Sequence, residues 1–214
     1  MPTTQRSRPV RFARVGGLCV LLGVAAMAGC ASQNNRSQSM KTAANETLAA
    51  HQELSQGNVD AAMRWLSRSQ YTELDDVGLA RRAVAGEVAI AMGDTERALE
   101  IVESAGAKAE THPHLLEVRG KAFLRAGRYK DAKDSFERAR GLYGSGDDRA
   151  RVSDLAVTAE GLDLYAQGRR SAAMELWQSI QEPGLRASLS VYAQPREQYD
   201  PGALGLTRSA EGGR

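Results

Sequence analysis

The clearest hydrophobic pattern in the chain lies between His114 and Ala139, where apolar residues recur at helical spacing on both sides of Gly127. The apolar and small residues before this glycine are Leu115, Leu116, Gly120, Phe123 and Leu124. Those after it are Tyr129, Ala132, Phe136 and Ala139. The pattern therefore predicts two short helices that meet at a turn.

Gly120 and Ala132 indicate how these two helices pack, because helices approach closely only where a side chain is nearly absent. The same arrangement recurs around Gly57, Gly93 and Gly168, so that successive turn glycines are 36, 34 and 41 residues apart. The positions seven before and five after the four glycines are all Gly or Ala, namely Ala50, Gly86, Gly120, Gly161, Ala62, Ala98, Ala132 and Ala173. Such an internal period is typical of helical-repeat proteins.

This pattern resembles the tetratricopeptide repeat (TPR), a helix–turn–helix unit of 34 residues. The residues of the best-matching stretch at TPR consensus positions are Gly120, Gly127, Tyr129, Ala132, Phe136 and Ala139. The resemblance implies repeats at about 43–76, 79–112, 113–146 and 154–187. It predicts an all-α, right-handed superhelical TPR-like solenoid of about four helix–turn–helix repeats over residues 41–193.

The longest spacing between turn glycines is explained by an insert, GSGDDRARVS, at residues 144–153. We expect a glycine-rich turn followed by a lengthened helix that Asp147 or Asp148 caps. Asn58 and Asp94 directly follow two of the turn glycines and are predicted N-caps of second helices.

Two predictions concern the C-terminal part of the chain. Leu185, Leu189 and Tyr192 fall at i, i+4 and i+7, which predicts a short helix that covers the last repeat. Residues 194–214 contain Pro and Gly without a hydrophobic period and are predicted to form a disordered tail.

Residues 1–29 have the composition of an export signal. Four arginines, with no acidic residue among them, precede the apolar run Val15–Ala28. This run is shorter than the roughly 20 residues that a membrane span requires. The following residues, Met27-Ala28-Gly29-Cys30, resemble the bacterial lipobox, in which the cysteine is lipidated and becomes the first residue after cleavage. Removal of the signal would change the formal charge from +2 to −2.

The lipobox resemblance implies that Cys30 carries the lipid and that residues 30–40 form a tether to the membrane. In lipoproteins with a lipobox, an Asp directly after the cysteine often marks retention in the inner membrane, but here Ala31 and Ser32 follow Cys30. The resemblance therefore implies the periplasmic face of the outer membrane in the cell envelope. An ordinary secretory cleavage site, with Cys30 incidental, is the alternative. Cys19 is the only other cysteine and lies in the signal, so no disulfide is expected in the mature domain.

No catalytic motif is present, and we expect neither enzymatic activity nor a cofactor. His112 and His114 flank Pro113 without a nearby third ligand, so no metal site is predicted. The net charge is small, and a nucleic-acid-binding protein would need a clustered basic face. Binding of nucleic acid is therefore not predicted.

The TPR resemblance implies a groove for a protein or peptide partner along the first helix of each repeat. The residues predicted to line it are Glu87, Ile90, His114, Glu117, Lys121, Arg125, Leu162 and Tyr165. Lys121 and Arg125 would pair with a partner's carboxylate, and Leu162 and Tyr165 would hold an apolar side chain. The alternative is that Glu117, Lys121 and Arg125 form an ordinary solvated row of charges at i, i+4 spacing.

These observations predict a membrane-anchored, non-catalytic adaptor or scaffold in the bacterial cell envelope. It is similar in plan to the pilotin-type TPR lipoproteins that support secretin or pilus assembly. A structural subunit that stacks through Trp177, Leu185 and Tyr192 is one alternative, and an accessory regulator of an envelope enzyme is another.

Overall fold

The computed structural model describes the backbone of residues 16–68 and 70–193 and the side chains of residues 34–68 and 70–193. All regular structure within these ranges is helical, which confirms the predicted all-α class. The α-helices are α1 Gly16–Ser55, α2 Val59–Ser67, α3 Asp76–Ala91, α4 Thr95–Glu103, α5 Pro113–Arg125, α6 Tyr129–Leu142, α7 Asp147–Ala166, α8 Arg170–Trp177 and α9 Pro183–Tyr192. A 3₁₀ helix, Gly106–Glu110, lies between α4 and α5.

Each predicted repeat contains two helices that pack on each other: α1 with α2, α3 with α4, α5 with α6 and α7 with α8. The second helix of each pair also packs on the first helix of the next pair. The first helices α1, α3 and α5 contact one another in succession. One face of the molecule is therefore built from the first helices of neighbouring pairs.

The predicted turn glycines end the first helix of each pair. Gly57, Gly93, Gly127 and Gly168 have φ angles of 80°, 85°, 73° and 80°. A left-handed residue at this position stops a helix and lets the chain reverse, and glycine adopts it without a steric cost. The structure confirms the four turns.

The predicted close approach between paired helices is confirmed at Gly120 and Gly161. A Cβ atom on Gly120 would lie 2.5 Å from Cε1 of Phe136 in the paired helix, and one on Gly161 would collide with the indole of Trp177. Gly86 differs, because its Cβ atom would lie 2.6 Å from Cγ1 of Val118 in the next first helix rather than against its own partner. The five predicted close-approach alanines are fully buried, namely Ala50, Ala62, Ala98, Ala132 and Ala173.

The helix caps agree with the sequence only in part. The side chain of Asp94 accepts a hydrogen bond from the backbone N–H of Arg97 at 2.9 Å, as predicted. Asn58 is an N-cap residue without a capping bond, since its amide donates to the carboxylate of Glu53 instead. The predicted cap of α7 was wrong: Gly146 is the N-cap residue, and the two aspartates lie in the first turn. Their charges still favour the positive end of the helix dipole.

A buried ion pair fixes the first pair against the second. Arg81 of α3 and Glu46 of α1 are 8% and 9% exposed, and their charged groups lie 3.9 Å apart. Arg81 also donates a hydrogen bond to the carbonyl of Leu66 in α2. Because one side chain joins three helices, it sets the position of α1 against α3.

The predicted covering helix exists as α9. Its Leu189 is buried with Trp177 and Ile180, and Leu185 packs against the same cluster. Asp154 of α7 holds the segment before α9, since its buried carboxylate accepts the backbone N–H groups of Gln181 and Glu182 at 3.0 and 2.9 Å. Satisfying two backbone donors in this way stabilises the end of the molecule.

Two predictions fall outside the described residues, the lipidated side chain of Cys30 and the tail at 194–214. The predicted export signal of residues 1–29 lies outside them in part, since the backbone is described from residue 16 and side chains from residue 34. Residues 30–40 lie within α1, so the structure has helix where the sequence predicted a tether. Residues 34–42 are all exposed, and the buried face of α1 begins at Ala43. Within the part of the chain that the structure describes, no helix is long and apolar enough to cross a membrane.

Candidate functional site

A groove of about 740 Å³ lies on the face formed by the first helices of the pairs. Its walls come from residues between 44 and 51 of α1, 76 and 87 of α3, and 114 and 121 of α5, and from Asp148 and Arg151 of α7. We call this feature the central groove. Four helices from successive pairs therefore contribute to one surface.

The floor of the central groove is apolar. Ala83, Val84 and Val118 are buried beneath it, and Ala80 is half-buried. Leu48 also lines the groove, and 57% of its surface is exposed. An exposed apolar surface bordered by polar residues is typical of an interaction site.

A smaller concavity of about 260 Å³ continues the central groove. The two share His51, Glu87 and Lys121, and the smaller one adds residues from the C-terminal ends of the first helices, including Arg125. The central groove is thus lined mainly by residues near the starts and middles of the first helices, and the smaller concavity by residues near their C-terminal ends. The first helices consequently run side by side in the same direction.

Glu117 lies at the centre of the groove and is 2% exposed. Its Oε1 atom lies 2.8 Å from the ammonium of Lys121 and also accepts a hydrogen bond from Arg151 of α7. Its Oε2 atom accepts a hydrogen bond of 3.2 Å from the hydroxyl of Tyr143. A buried carboxylate is tolerated only with such partners, because burial removes its hydration.

The electrostatics of this cluster favour its charged form. Burial alone would raise the pKa of Glu117, but the hydrogen bond from Arg151 and the charge of Lys121 outweigh it and hold the pKa below its ordinary value. Burial lowers the pKa of Lys121, whereas Glu87 and Glu117 raise it, and the net direction is upward. Both side chains are therefore ionised at neutral pH.

Lys121 joins two first helices. Its ammonium lies 2.7 Å from Oε1 of Glu87 in α3 and 2.8 Å from Oε1 of Glu117 in α5. Arg151 extends the same chain of charges to α7 and also contacts Asp148 at 2.9 Å. The charges along the groove are thus bound to one another across three helices.

Tyr143 and His114 complete the cluster. The Tyr143 hydroxyl oxygen lies 2.8 Å from Nδ1 of His114. Because a hydroxyl has one hydrogen, donation to Glu117 requires that His114 carry its hydrogen on Nδ1 and donate to Tyr143. Burial and the charge of Glu117 raise the pKa of Tyr143, so its hydroxyl stays a donor.

The structure brings together half of the residues that the sequence predicted for the groove. Glu87, His114, Glu117 and Lys121 line the central groove, and Arg125 lies in its smaller continuation. Because Glu117 is buried, the alternative of a solvated charge row is wrong for that residue, whereas Arg125 is exposed.

The remaining predicted residues lie elsewhere or are buried. Ile90 borders the smaller concavity but is 7% exposed and belongs to the core. Leu162 and Tyr165 do not line the central groove, because they pack against the cluster of Trp177 and Leu189 under α9. The ring centroids of Tyr165 and Tyr192 lie 5.4 Å apart. Tyr192 of α9 thus contacts a residue that the sequence predicted to be available to a partner.

Sequence reasoning missed Tyr143, Asp148 and Arg151. All three lie at or beside the insert that lengthens α7, outside the repeat positions that predict groove residues. Arg151 stands eleven residues, or about three turns, before the predicted groove residue Leu162 of the same helix, so the two lie on the same face of α7. That spacing was the available signal.

Within the described residues, no group of three or more His, Cys, Asp or Glu side chains is arranged to hold a metal ion. No known protein family, curated protein or solved structure matches this chain.

Proposed function

We propose that the protein is a lipid-anchored, non-catalytic adaptor of the bacterial cell envelope, and that its central groove binds a protein partner. The observation that supports this most is the groove itself, which has an apolar floor and an exposed Leu48 in its lining. Its volume suits a few side chains of a partner segment rather than a whole domain. Grooves of this kind accept helices and extended segments.

We infer further that the helix pairs form a right-handed TPR-like solenoid. The support is the recurrence of the left-handed turn glycine and of Gly or Ala at the close approaches in every pair. In such an array each pair buries its apolar face on its neighbours, and the first helices share one concave face.

The membrane anchor rests on the lipobox-like sequence Met27-Ala28-Gly29-Cys30. Acyl chains on Cys30 would hold the domain at the envelope, at the periplasmic face of the outer membrane, since each buried CH₂ group contributes about 0.8 kcal/mol. A groove held near the membrane meets envelope proteins at high local concentration.

Replacement of Cys30 by Ser is expected to abolish lipidation, because serine lacks the thiol that receives the diacylglycerol. The measurement is incorporation of a clickable fatty acid, followed by mass determination of the protein. Cys19→Ser is the matched control, since this cysteine lies within the predicted signal and should leave lipidation unchanged. Equal labelling of all three proteins, or no labelling of the wild type, would contradict the anchor.

Leu48→Lys is expected to reduce partner capture at least about fivefold, because it places a charge where the partner's apolar side chain would lie. The measurement is crosslinking in the producing cells, affinity purification and quantitative mass spectrometry. Met174→Lys is the control, since Met174 is 43% exposed on α8 and does not line the groove.

Equal capture by wild type and Leu48→Lys would contradict groove binding. Loss of the partner in Met174→Lys instead would favour the stacking subunit. Trp177, predicted to carry that contact, is 1% exposed and unavailable for it, whereas Tyr192 and Val191 are 57% and 67% exposed.

A further inference from the structure

The central groove is acidic. It is lined by four carboxylates, Asp76, Glu87, Glu117 and Asp148, and by two cations, Lys121 and Arg151. With neutral histidines the lining therefore carries a charge of −2. A cleft with apolar walls concentrates the field of such charges, so this excess acts directly on a bound segment.

The two cations are already engaged. Lys121 contacts Glu87 and Glu117, and Arg151 contacts Glu117 and Asp148. A ligand carboxylate or phosphate would have to displace one of these pairs to reach a cation. The repulsion of the neighbouring carboxylates would oppose it.

Several carboxylate oxygens remain open. Asp76 makes no hydrogen bond or ion pair within the described residues and is exposed in the first turn of α3. Asp148 uses only Oδ1, and its side chain is 60% exposed. The carboxylate of Glu87 is paired with Lys121 through Oε1, whereas Oε2 accepts no hydrogen bond within the described residues and lies 3.9 Å from Nδ1 of His51. These carboxylate oxygens can therefore accept hydrogen bonds from a ligand and can pair with a positive charge.

The open carboxylates are not evenly distributed. Asp76 and Asp148 lie at the starts of α3 and α7, and His114 lies at the start of α5. The exposed cation Arg125 lies at the opposite end, in the smaller concavity. The central groove therefore has its open carboxylates at the helix starts, and the smaller concavity that continues it carries an exposed cation at the helix ends.

From this arrangement we propose that the partner segment is cationic: it carries Lys or Arg residues beside an apolar side chain. The apolar side chain lies on Ala80, Ala83 and Val84, and the basic residues reach Asp76 and Asp148. Lys and Arg suit such a site because their apolar stems lie along the floor while their charged ends reach the carboxylates. This inference rests on the proposed function of the groove and specifies its partner class.

The test is selection of random twelve-residue peptides displayed on phage against the full chain, followed by affinity measurement with the synthetic peptides obtained. We expect the selected peptides to contain Lys or Arg within three residues of an apolar residue. Leu48→Lys should abolish their binding. Asp76→Lys should weaken it about fivefold or more, because an attraction becomes a repulsion.

Asp60→Lys is the matched control for Asp76→Lys. Asp60 is also an exposed aspartate in the first turn of a helix, α2, but it does not line the groove. The same charge reversal there should leave the affinity unchanged. Binding to the wild type should also weaken as the salt concentration rises.

The outcomes separate the two proposals. Selected peptides that are acidic or uncharged, yet fail to bind Leu48→Lys, would overturn the cationic partner and leave the groove as the binding site. Basic peptides that bind Asp76→Lys as well as the wild type would overturn it as well. Peptides that bind Leu48→Lys unchanged, or a selection without enrichment, would contradict the groove as the site and therefore both proposals.

Discussion

Gly120→Leu is expected to lower the free energy of unfolding by about 3 kcal/mol or more. The reason is steric: even a Cβ atom at this position would lie 2.5 to 2.8 Å from three atoms of the Phe136 ring. Phe136 is fully buried and cannot move aside without opening the α5–α6 interface. Denaturation followed by circular dichroism at 222 nm measures the change.

Gly141→Leu is the matched control for this substitution. Gly141 lies in α6, is exposed, and a Cβ atom there would have no neighbour within 4 Å. Leucine has a higher helix propensity than glycine, so this variant should be as stable as the wild type or slightly more stable. Equal stability of the two variants would contradict the helix packing on which the repeat assignment depends.

The second large effect is expected in the double variant Lys121→Met/Arg151→Met. It removes both charged partners of Glu117 and leaves a carboxylate that is 3% exposed beside Tyr143 alone. An uncompensated buried charge costs about 3 to 5 kcal/mol, and we expect the lower figure because Lys121 and Arg151 are themselves partly exposed. Urea denaturation at neutral pH measures the loss.

The stability that Glu117 contributes should depend on pH in opposite directions in the wild type and in the double variant. In the wild type the pKa of Glu117 is held below its ordinary value of 4.5. Its contribution to stability is therefore present above that value and is lost as the pH falls through the lower folded-state pKa. In the double variant burial acts without the two cations and raises the pKa. Stability from this group is then present at low pH and is lost as the pH rises through the raised value.

The stability difference between wild type and double variant should consequently grow from pH 3 to pH 7. Arg97→Met/Arg140→Met is the control, because each of these arginines forms an exposed i, i+3 ion pair that contributes only a few tenths of a kcal/mol. A constant difference across this pH range would show that Glu117 does not depend on its two cations.

The helical class and the turns were predictable because they depend on local chemistry. Gly57, Gly93, Gly127 and Gly168 end helices through their own backbone conformation. A small residue such as Gly120 leaves a signature in the sequence because every larger side chain is excluded there. Both constraints act on single positions, so the spacing of the positions is visible without a structure.

The centre of the groove was predictable only in part, because its contacts join residues far apart in the sequence. Glu117 and Lys121 stand one turn apart on α5, and the sequence indicated that they are neighbours. The pairing of Glu117 with Arg151, 34 residues away, depends on where the start of α7 lies relative to α5. The residue type did not indicate this contact either, since Arg151 lies among other charged residues of the insert.

The C-terminal part of the predicted groove differs for a similar reason. Leu162 and Tyr165 occupy first-helix positions that would line a groove if the array continued uncovered. Instead α9 packs against the last pair, and both residues take part in its apolar contact. The sequence predicted this helix from Leu185, Leu189 and Tyr192, but the surface that it would cover depends on three-dimensional packing.

Site-specific photo-crosslinking from the groove tests the adaptor account most directly. A photoreactive phenylalanine analogue would replace Ala44, an exposed groove residue of α1, or Ala187, an exposed residue of α9 outside the groove. After irradiation of the producing cells, mass spectrometry would identify the crosslinked proteins. The account predicts one envelope protein joined to position 44 through a basic segment and absent from position 187. Crosslinks to that protein from position 187 alone, or none from position 44, would contradict it.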